Sequence, residues 1–129
     1  MREGTALASV MSFLIFVGAC IRVDPAVEQP TSSLLNYLPF VARLFEVLEL
    51  QRTSTYLGAF GAETAKPLKL FHCLSWLHAL KRARPSGMPQ LAIKHKSGHT
   101  GRKKEMRDSQ AYPAGFGWAI AEGFVSSRI

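Results

Sequence analysis

The sequence contains only two cysteines, Cys20 and Cys73, in 129 residues. Two thiols form one disulfide at most, which excludes the disulfide-dense scaffolds on which many small secreted domains depend. The sequence also lacks a Cys-x-x-Cys pair, the commonest half of a structural zinc site. A chain of this length is expected to fold as one domain with a modest core.

Motifs of catalytic and nucleotide-binding sites are absent as well. The stretches "GAFGAET" and "AGFGWAIAEG" fit neither GxGxxG nor GxxxxGK[ST], and glycines used for turns and close packing explain them. Only three acidic residues follow residue 65, so paired carboxylates for acid–base catalysis are missing from that half. On the helix expected around Cys73, neither His72 nor His78 faces the thiol. We therefore expect no enzyme activity, no cofactor and no small-molecule substrate.

Positive charge is unevenly distributed along the chain, whose formal net charge is +7. Residues 1–65 carry four cations and six anions, whereas residues 66–129 carry twelve cations and three anions. Such asymmetry is typical of chains that meet an anionic partner, for example a nucleic acid or an acidic membrane surface.

Seven of these twelve cations lie in residues 83–108. This segment contains several prolines and glycines and has little apolar periodicity, so we predict a long basic loop there. The segment "IKHKSGHTGRKKEMR", residues 93–107, alone holds six of them. Cations on a loop can neutralise phosphates and release condensed counterions, so binding would weaken steeply with salt. The predicted polyanion-binding residues are Lys94, Lys96, Arg102, Lys103, Lys104 and Arg107.

Two features weigh against specific nucleic-acid recognition. No aromatic residue that could stack on bases lies between Trp76 and Tyr112, and no helix-turn-helix or zinc-finger pattern is present. A run of charge is also the ordinary composition of a solvated surface loop, and that alternative stays open. The clusters "KRAR" and "GRKK" resemble nuclear-import patches, which keeps a nuclear or cytoplasmic location open.

A metal site has four weak candidate ligands, and the last two are separated as in zinc fingers. On a helix, however, Cys73 and His78 would point about 140° apart and could not share an ion. With one cysteine available we predict no metal site. The candidate residues are Cys73, His78, His95 and His99.

The run "TALASVMSFLIFVGACI", residues 5–21, contains no charged residue. Its large apolar side chains cover all sides of a helix, as expected for a helix that is buried or in a membrane. Its length is at the short end of what crosses a bilayer, and Val17-Gly18-Ala19 supplies the small residues of a signal-peptidase site, although Glu3 weakens the positive n-region. We predict a hydrophobic leader or anchor over residues 1–23, and hence a membrane or secretory route, with a buried first helix as the alternative.

The rest of the chain predicts a linker followed by one small domain. Residues 24–33, "DPAVEQPTSS", have the composition of a linker, and residues 34–129 form the domain that carries the basic loop. Proline in the first turn and apolar periodicity predict a helix over Pro39–Arg52.

A second helix is predicted over Lys66–Arg82 and a last one begins at Pro113. A strand over Leu68–Cys73 competes with the second helix, because Leu68 and Leu70 alternate with lysines. We predict a mainly α fold of three or four helices with a long basic loop, and a small α+β domain is the alternative.

Three stretches of the chain look like part of a known group of proteins. These are "TYLGAFGAETAKPLKLF", the tryptophan of "CLSWL", and "GRKKEMRDSQAYPAGFGWAIA". Together they make residues 53–124 similar to a segment of protist multigene proteins of unestablished function. The resemblance brings no activity or ligand, and implies only a packing motif made of Ser109, Tyr112, Pro113, Phe116 and Gly117.

The sequence favours a small, non-enzymatic basic protein that binds nucleic acid or another polyanion through its basic loop. A membrane-anchored or exported interaction protein is a second hypothesis, and a partial reading frame without an evolved function is a third. The sequence indicates no oligomeric state.

Overall fold

The computed structural model describes residues 2–88 and 111–128. Within these residues the chain forms a three-stranded antiparallel sheet with helices on both of its faces. The regular elements are α1 (Arg2–Cys20), β1 (Ala26–Pro30), α2 (Pro39–Val47), β2 (Gln51–Tyr56), β3 (Pro67–His72) and α3 (Ala114–Ser127). Short 3-10 helices lie at Leu35–Tyr37, Leu57–Phe60 and Ser75–Leu80.

The strand order of the sheet is β1-β3-β2, so the last strand in the chain is the central one. His72 of β3 pairs with Ala26 of β1 on one side and with Gln51 of β2 on the other. Leu70 pairs with Glu28 and Thr53 in the same way. Because alternate residues of a strand point to opposite faces, these six side chains share one face of the sheet.

The expectation of a mainly α fold is wrong, because the described residues are 52% helical and 16% strand and form an α+β fold. The error lies in the segment from Lys66 to Arg82, predicted as a helix. Its first part is β3, in which every residue from Leu68 to His72 is buried. A strand covered on both faces has no alternating pattern, and periodicity cannot distinguish it from a buried helix.

The stretch predicted as a linker, residues 24–33, contains the edge strand β1. Its five residues pair with β3, and Val27 is buried in the core. Pro30 ends the strand, where the missing N–H breaks no central ladder. Residues 26–30 are therefore part of the folded domain.

The helix predicted over Pro39–Arg52 ends at Val47, five residues early. Glu49 has φ of 54°, which reverses the chain, and the Leu50 N–H donates to the carbonyl of Phe45. Chain reversal at a helix end usually uses glycine, since other residues are strained at positive φ. A glutamate at this position gives no stop signal in the sequence.

Two apolar clusters lie on opposite faces of the sheet. The first joins α1 and α2 to the sheet through Ala8, Ile15, Val27, Val41, Phe45 and Phe71. The second joins the sheet to the Ser75–Leu80 helix and α3 through Leu57, Leu68, Leu70, Leu77, Leu80 and Phe116. The molecule is thus a three-layer arrangement with the sheet in the middle.

β3 also buries a lysine on the face that carries Phe71. Lys69 is 1% exposed, and its Nζ donates to the Ser33 carbonyl at 2.7 Å and to Asn36 Oδ1 at 2.6 Å. The ammonium group also lies 5.5 Å from the centre of the Tyr37 ring. Hydrogen bonds and aromatic faces compensate part of the cost of removing this charge from water.

Candidate functional sites: an apolar pocket, a buried histidine pair and an exposed apolar helix

A pocket with a volume of about 520 Å³ lies between the sheet and α3. This volume is within the range that small-molecule sites occupy. The sheet contributes Ala26, Glu28 and Leu70, and the Ser75–Leu80 helix and α3 enclose the sides. Most lining side chains are large and apolar, including Leu70, Leu74, Leu77, Leu80, Phe116 and Ile120.

One polar pair belongs to this lining. The hydroxyl of Tyr112 donates a hydrogen bond to Oε2 of Glu28, joining the start of the α3 segment to the edge strand. Burial is the main reason that the pKa of Tyr112 lies well above its ordinary value. The hydrogen bond to Glu28 and the negative charge of Glu28 raise this pKa further. Tyr112 therefore keeps its proton at neutral pH. On the outer side, Lys66 Nζ lies 5.7 Å from the centre of the Tyr112 ring.

A chain of polar side chains begins on the same face of the sheet, at β3 and β2. Thr53 Oγ1 lies 2.8 Å from Nε2 of His72 and 3.0 Å from Nδ1 of His78. Nε2 of His78 in turn bonds to Oε1 of Gln51. His72 is fully buried and His78 is exposed, so the chain connects the interior with the surface.

One neutral tautomer of each ring satisfies this bonding order. An amide oxygen only accepts, so His78 donates through Nε2 and accepts through Nδ1 from the Thr53 hydroxyl. Thr53 Oγ1 then accepts from Nε2 of His72, which leaves Nδ1 of His72 as a bare acceptor. That atom is buried without a hydrogen-bond partner.

Burial is the main reason that the pKa of His72 is lowered, and the charge of His78 is the second. The nearby Leu74 backbone opposes the shift without forming a hydrogen bond to Nδ1. His72 is therefore neutral at pH 7. The network can relay a proton along its hydrogen bonds, but no carboxylate or thiol belongs to it. Its geometry indicates a structural polar cluster.

Helix α1 has an unusually apolar exposed surface for a helix that packs on a domain. Ala8 and Ile15 are buried against α2, and Met11, Leu44 and Leu48 pack around them. The alternative interpretation, a buried first helix, predicts a contact of this kind. The large side chains on the rest of the helix are exposed, namely Leu7, Val10, Phe13, Leu14, Phe16 and Val17.

Length and composition make α1 the one helix of the described chain that could cross a membrane. The 18-residue window is Glu3–Cys20, and only 11% of it is buried. Signal sequences and core helices of soluble proteins meet the same criteria, but core helices are mostly buried. The low burial of α1 thus differs from that of a typical core helix.

The four predicted metal-ligand candidates do not come together in the part of the chain that the structure describes. Cys73 directly follows β3 and its sulfur lies 3.6 Å from Oδ1 of Asp24, whereas His78 faces Thr53 and Gln51. Partial desolvation is the main reason that the pKa of the Cys73 thiol is raised, and the negative charge of Asp24 is the second. The raised pKa disfavours the thiolate, which is the form that binds metals. Within residues 2–88 and 111–128 no cluster of three ligating side chains exists, and His95 and His99 lie outside these residues.

The six predicted polyanion-binding residues also lie outside the described residues, so their assignment stays a prediction. The structure describes the three cations that precede them, Lys81, Arg82 and Arg84, and all three are exposed. Arg82 stacks 5.2 Å from the centre of the Phe60 ring and donates to the carbonyl of Ala79. In the described residues none of the three is in an ion pair.

Comparisons with protein families, with curated proteins and with solved structures find no match for this chain. The resemblance of residues 53–124 to protist multigene proteins thus stays a prediction.

Sequence reasoning missed the pocket and the histidine network. The pocket requires β1 to pair with β3, and the histidine network requires β2 to pair with β3. Neither pairing was predicted. The only available signal was the alternative strand over Leu68–Cys73, which would have placed Leu70 and His72 on one face.

Proposed function

We propose that the protein acts at a lipid bilayer, which it contacts through α1. The single observation that supports this proposal is the exposure of the apolar side chains of α1 outside the stripe that packs on α2. Phe13 is 65% exposed and Leu14 is 63% exposed. Soluble monomers rarely expose contiguous apolar surface of this kind.

The distribution of apolar surface supports a contact on one side of the sheet. Sixteen large hydrophobic side chains are exposed in the described chain, and twelve of them belong to the first 47 residues. The remaining four are Tyr112 and three residues of α3. The side of the sheet that carries α1 and α2 therefore faces the bilayer.

The energetic gain is large enough for stable association. Moving one exposed large apolar side chain from water into hydrocarbon contributes about 1.5–3 kcal/mol. Six such side chains on α1 together contribute on the order of 10 kcal/mol. The segment from residue 5 to residue 21 brings no charged group into the apolar phase to oppose this gain.

The connection between α1 and the sheet keeps the domain at the surface. Only residues 21–25 separate α1 from β1. Five extended residues span about 17 Å at most. Whether α1 lies along the interface or inserts, the sheet cannot move far from the headgroups, and exposed cations can meet anionic lipids there.

Flotation of the full-length chain with neutral phosphatidylcholine vesicles in high salt tests this proposal, because high salt suppresses binding by charge alone. We expect the wild-type chain to float. We expect a Phe13→Gln, Leu14→Gln double variant to partition at least about tenfold less, since it loses two apolar contacts. The matched control is Trp118→Gln, which removes an exposed side chain from α3 on the other side of the sheet.

Two results would contradict bilayer contact through α1. One is a wild-type chain that stays in the aqueous fraction. The other is a double variant, folded by circular dichroism, that floats as well as the Trp118→Gln control.

A second candidate function is polyanion binding by the basic segment, and the exposure of Lys81, Arg82 and Arg84 without ion pairs favours it. These cations follow the Ser75–Leu80 helix, which lies on the face of the sheet opposite α1. A bilayer bound to α1 would therefore leave this segment able to bind a separate anionic partner. The predicted residues Lys94, Lys96, Arg102, Lys103, Lys104 and Arg107, which lie outside the described residues, would add six positive charges to this part of the sequence.

Binding to duplex and single-stranded RNA and DNA across a salt series tests the second candidate. We expect log K to fall linearly with log salt, and the slope to decrease by about 1.5 when Lys103→Glu and Lys104→Glu remove two phosphate contacts. Arg52→Glu, an exposed cation on β2, serves as the charge control. Absence of binding at low salt, or equal slopes for the double variant and the wild type, would exclude this function.

A further inference from the structure

We propose that the pocket between the sheet and α3 binds a small apolar molecule that carries an N–H or O–H donor and is neutral or cationic. This site is independent of the bilayer contact, because it lies on the face of the sheet opposite α1. It also differs from the basic segment, since none of the described lysines and arginines lines the pocket.

The apolar part of the lining selects for hydrocarbon or aromatic surface. Leucines from β3 and from the segment after it meet Phe116 and Ile120 of α3 across the pocket. A ligand that replaces water against these side chains gains about 25 cal/mol for each Å² of apolar surface it buries. A volume of about 520 Å³ accommodates a drug-sized molecule or a medium-length alkyl chain.

The polar end of the pocket selects the head group. Glu28 is the one carboxylate among the described lining residues, and it already accepts a hydrogen bond from Tyr112. A carboxylate has about four acceptor positions, so Glu28 can accept from a ligand as well. Tyr112 uses its only proton on Glu28 and offers the ligand no donor.

These two residues therefore favour an amine or an alcohol over a carboxylate of the same chain length. The net charge of the protein acts in the opposite direction, because a chain of +7 attracts anions to its surface. If decylamine binds more tightly than a carboxylate of the same chain length, the cause is therefore the Glu28–Tyr112 pair and not the net positive charge of the protein. This contrast makes matched amphiphiles of opposite charge a sharp test.

The test uses the full chain, with decylamine, decanol and decanoate below their micellar concentrations. Trp76 lines the pocket and Trp118 is the other tryptophan of the chain, so Trp118→Phe leaves Trp76 as the only tryptophan reporter. We expect saturable changes in Trp76 emission with decylamine and decanol. We expect decanoate to bind at least about tenfold more weakly than decylamine, as loss of a charge-assisted hydrogen bond implies.

Two substitutions connect the signal with the pocket. Gly117 lines the pocket, and a Cβ placed on it meets no atom within 4 Å, so Gly117→Leu starts its side chain in open space and is chosen to fill the pocket. Glu28→Gln keeps an acceptor for Tyr112 and removes the charge. The matched control is Gly4→Leu, which changes a helical glycine in open space on α1.

We expect Gly117→Leu to weaken decylamine binding at least tenfold, Gly4→Leu to leave it unchanged, and Glu28→Gln to abolish the preference for decylamine over decanoate. If Gly117→Leu does not fold, Ala114→Leu fills the same pocket from the first turn of α3. Absence of a saturable signal with any ligand would overturn the proposal. So would decanoate binding as tightly as decylamine in the wild type, or unchanged binding in the filled variant.

Discussion

The rings of His72 and His78 meet edge to face with their centres 4.9 Å apart, and the hydroxyl of Thr53 bonds to both. One ring is fully buried and the other is exposed. Two positive charges at this distance would repel each other, because the rings are partly shielded from water. The pair is therefore stable only when at least one ring is neutral. Burial lowers the pKa of His72 and makes it the neutral member of the pair.

Acidification is therefore expected to destabilise the fold through His72. Its pKa is lowered in the folded state, so below the ordinary histidine value of about 6.5 the unfolded chain binds more protons than the folded chain. The contribution of His72 to the free energy of unfolding is complete above this pH and is lost as the pH falls below it. One such group changes that free energy by at most about 1.4 kcal/mol per pH unit.

Urea unfolding at pH 7.5, 6.5 and 5.5 measures this effect. We expect the free energy of unfolding of the wild type to decrease over the series, and that of His72→Leu to decrease less. Equal pH dependence in the two proteins would show that the buried ring does not carry the effect.

The shared hydroxyl of Thr53 gives a second prediction. Thr53 is 3% exposed, and Thr53→Val keeps the shape of the side chain while leaving both histidine nitrogens without their partner. An unsatisfied buried polar group costs about 1–3 kcal/mol, so we expect a loss of this size in the free energy of unfolding. Ser54→Val, at the neighbouring exposed position on β2, should change it by less than about 0.5 kcal/mol.

A loss as small as that of Ser54→Val would mean that water or another group replaces the Thr53 hydroxyl. Unfolding in urea at pH 7.5 compares the two variants directly with the wild type.

The elements with a clear amphipathic or uniformly apolar pattern were predictable from sequence. The helix that begins at Pro39 and the helix after Pro113 exist, and α1 covers most of the apolar run. Their signals are local, since proline in the first turn and apolar spacing act within a few residues. The end of the helix that begins at Pro39 was less predictable, because Glu49 reverses the chain there and no glycine marks the position.

The sheet was not predictable from local signals. β3 has no β-branched residue and buries Lys69, a residue type that sequence reasoning places at the surface. The partners supplied by Ser33, Asn36, Tyr37 and Phe71 make this burial tolerable. The pocket and the histidine network depend on the sheet, so they were hidden for the same reason.

Strain at Glu49 leads to a third prediction. Its φ of 54° is unfavourable for a residue with a side chain and easy for glycine. We expect Glu49→Gly to raise the free energy of unfolding by about 0.5–1 kcal/mol, after allowing for the greater freedom of glycine in the unfolded chain. The control is Glu49→Ala, which removes the same charge and keeps the strain. Equal effects in thermal or urea unfolding would assign the change to charge.

The glycines of α3 give the last prediction, because some of them are closely packed against other elements and another faces open space. A Cβ on Gly115 would lie 2.3 Å from the carbonyl oxygen of Phe60, and a Cβ on Gly123 would lie 2.6 Å from Cε3 of Trp76. A Cβ on Gly117 would meet nothing within 4 Å. At the interior positions Gly117 and Gly123, alanine raises helix propensity by about 1 kcal/mol. Gly115 is the second residue of α3, so the gain there is smaller.

Only at Gly117 is that gain expected to appear as stability. At Gly115 the obstructing atom is backbone, so α3 would have to move away from the Leu57–Phe60 helix, and overpacking of this kind costs about 1–3 kcal/mol. At Gly123 the Trp76 ring would have to turn from Phe124, whose ring centre is 6.3 Å away. We therefore expect Gly117→Ala to stabilise the fold, and Gly115→Ala and Gly123→Ala to destabilise it, in urea unfolding monitored by circular dichroism. Stabilisation by all three would mean that α3 does not pack on the sheet layer as closely as these contacts require, and the pocket between them would lose its basis.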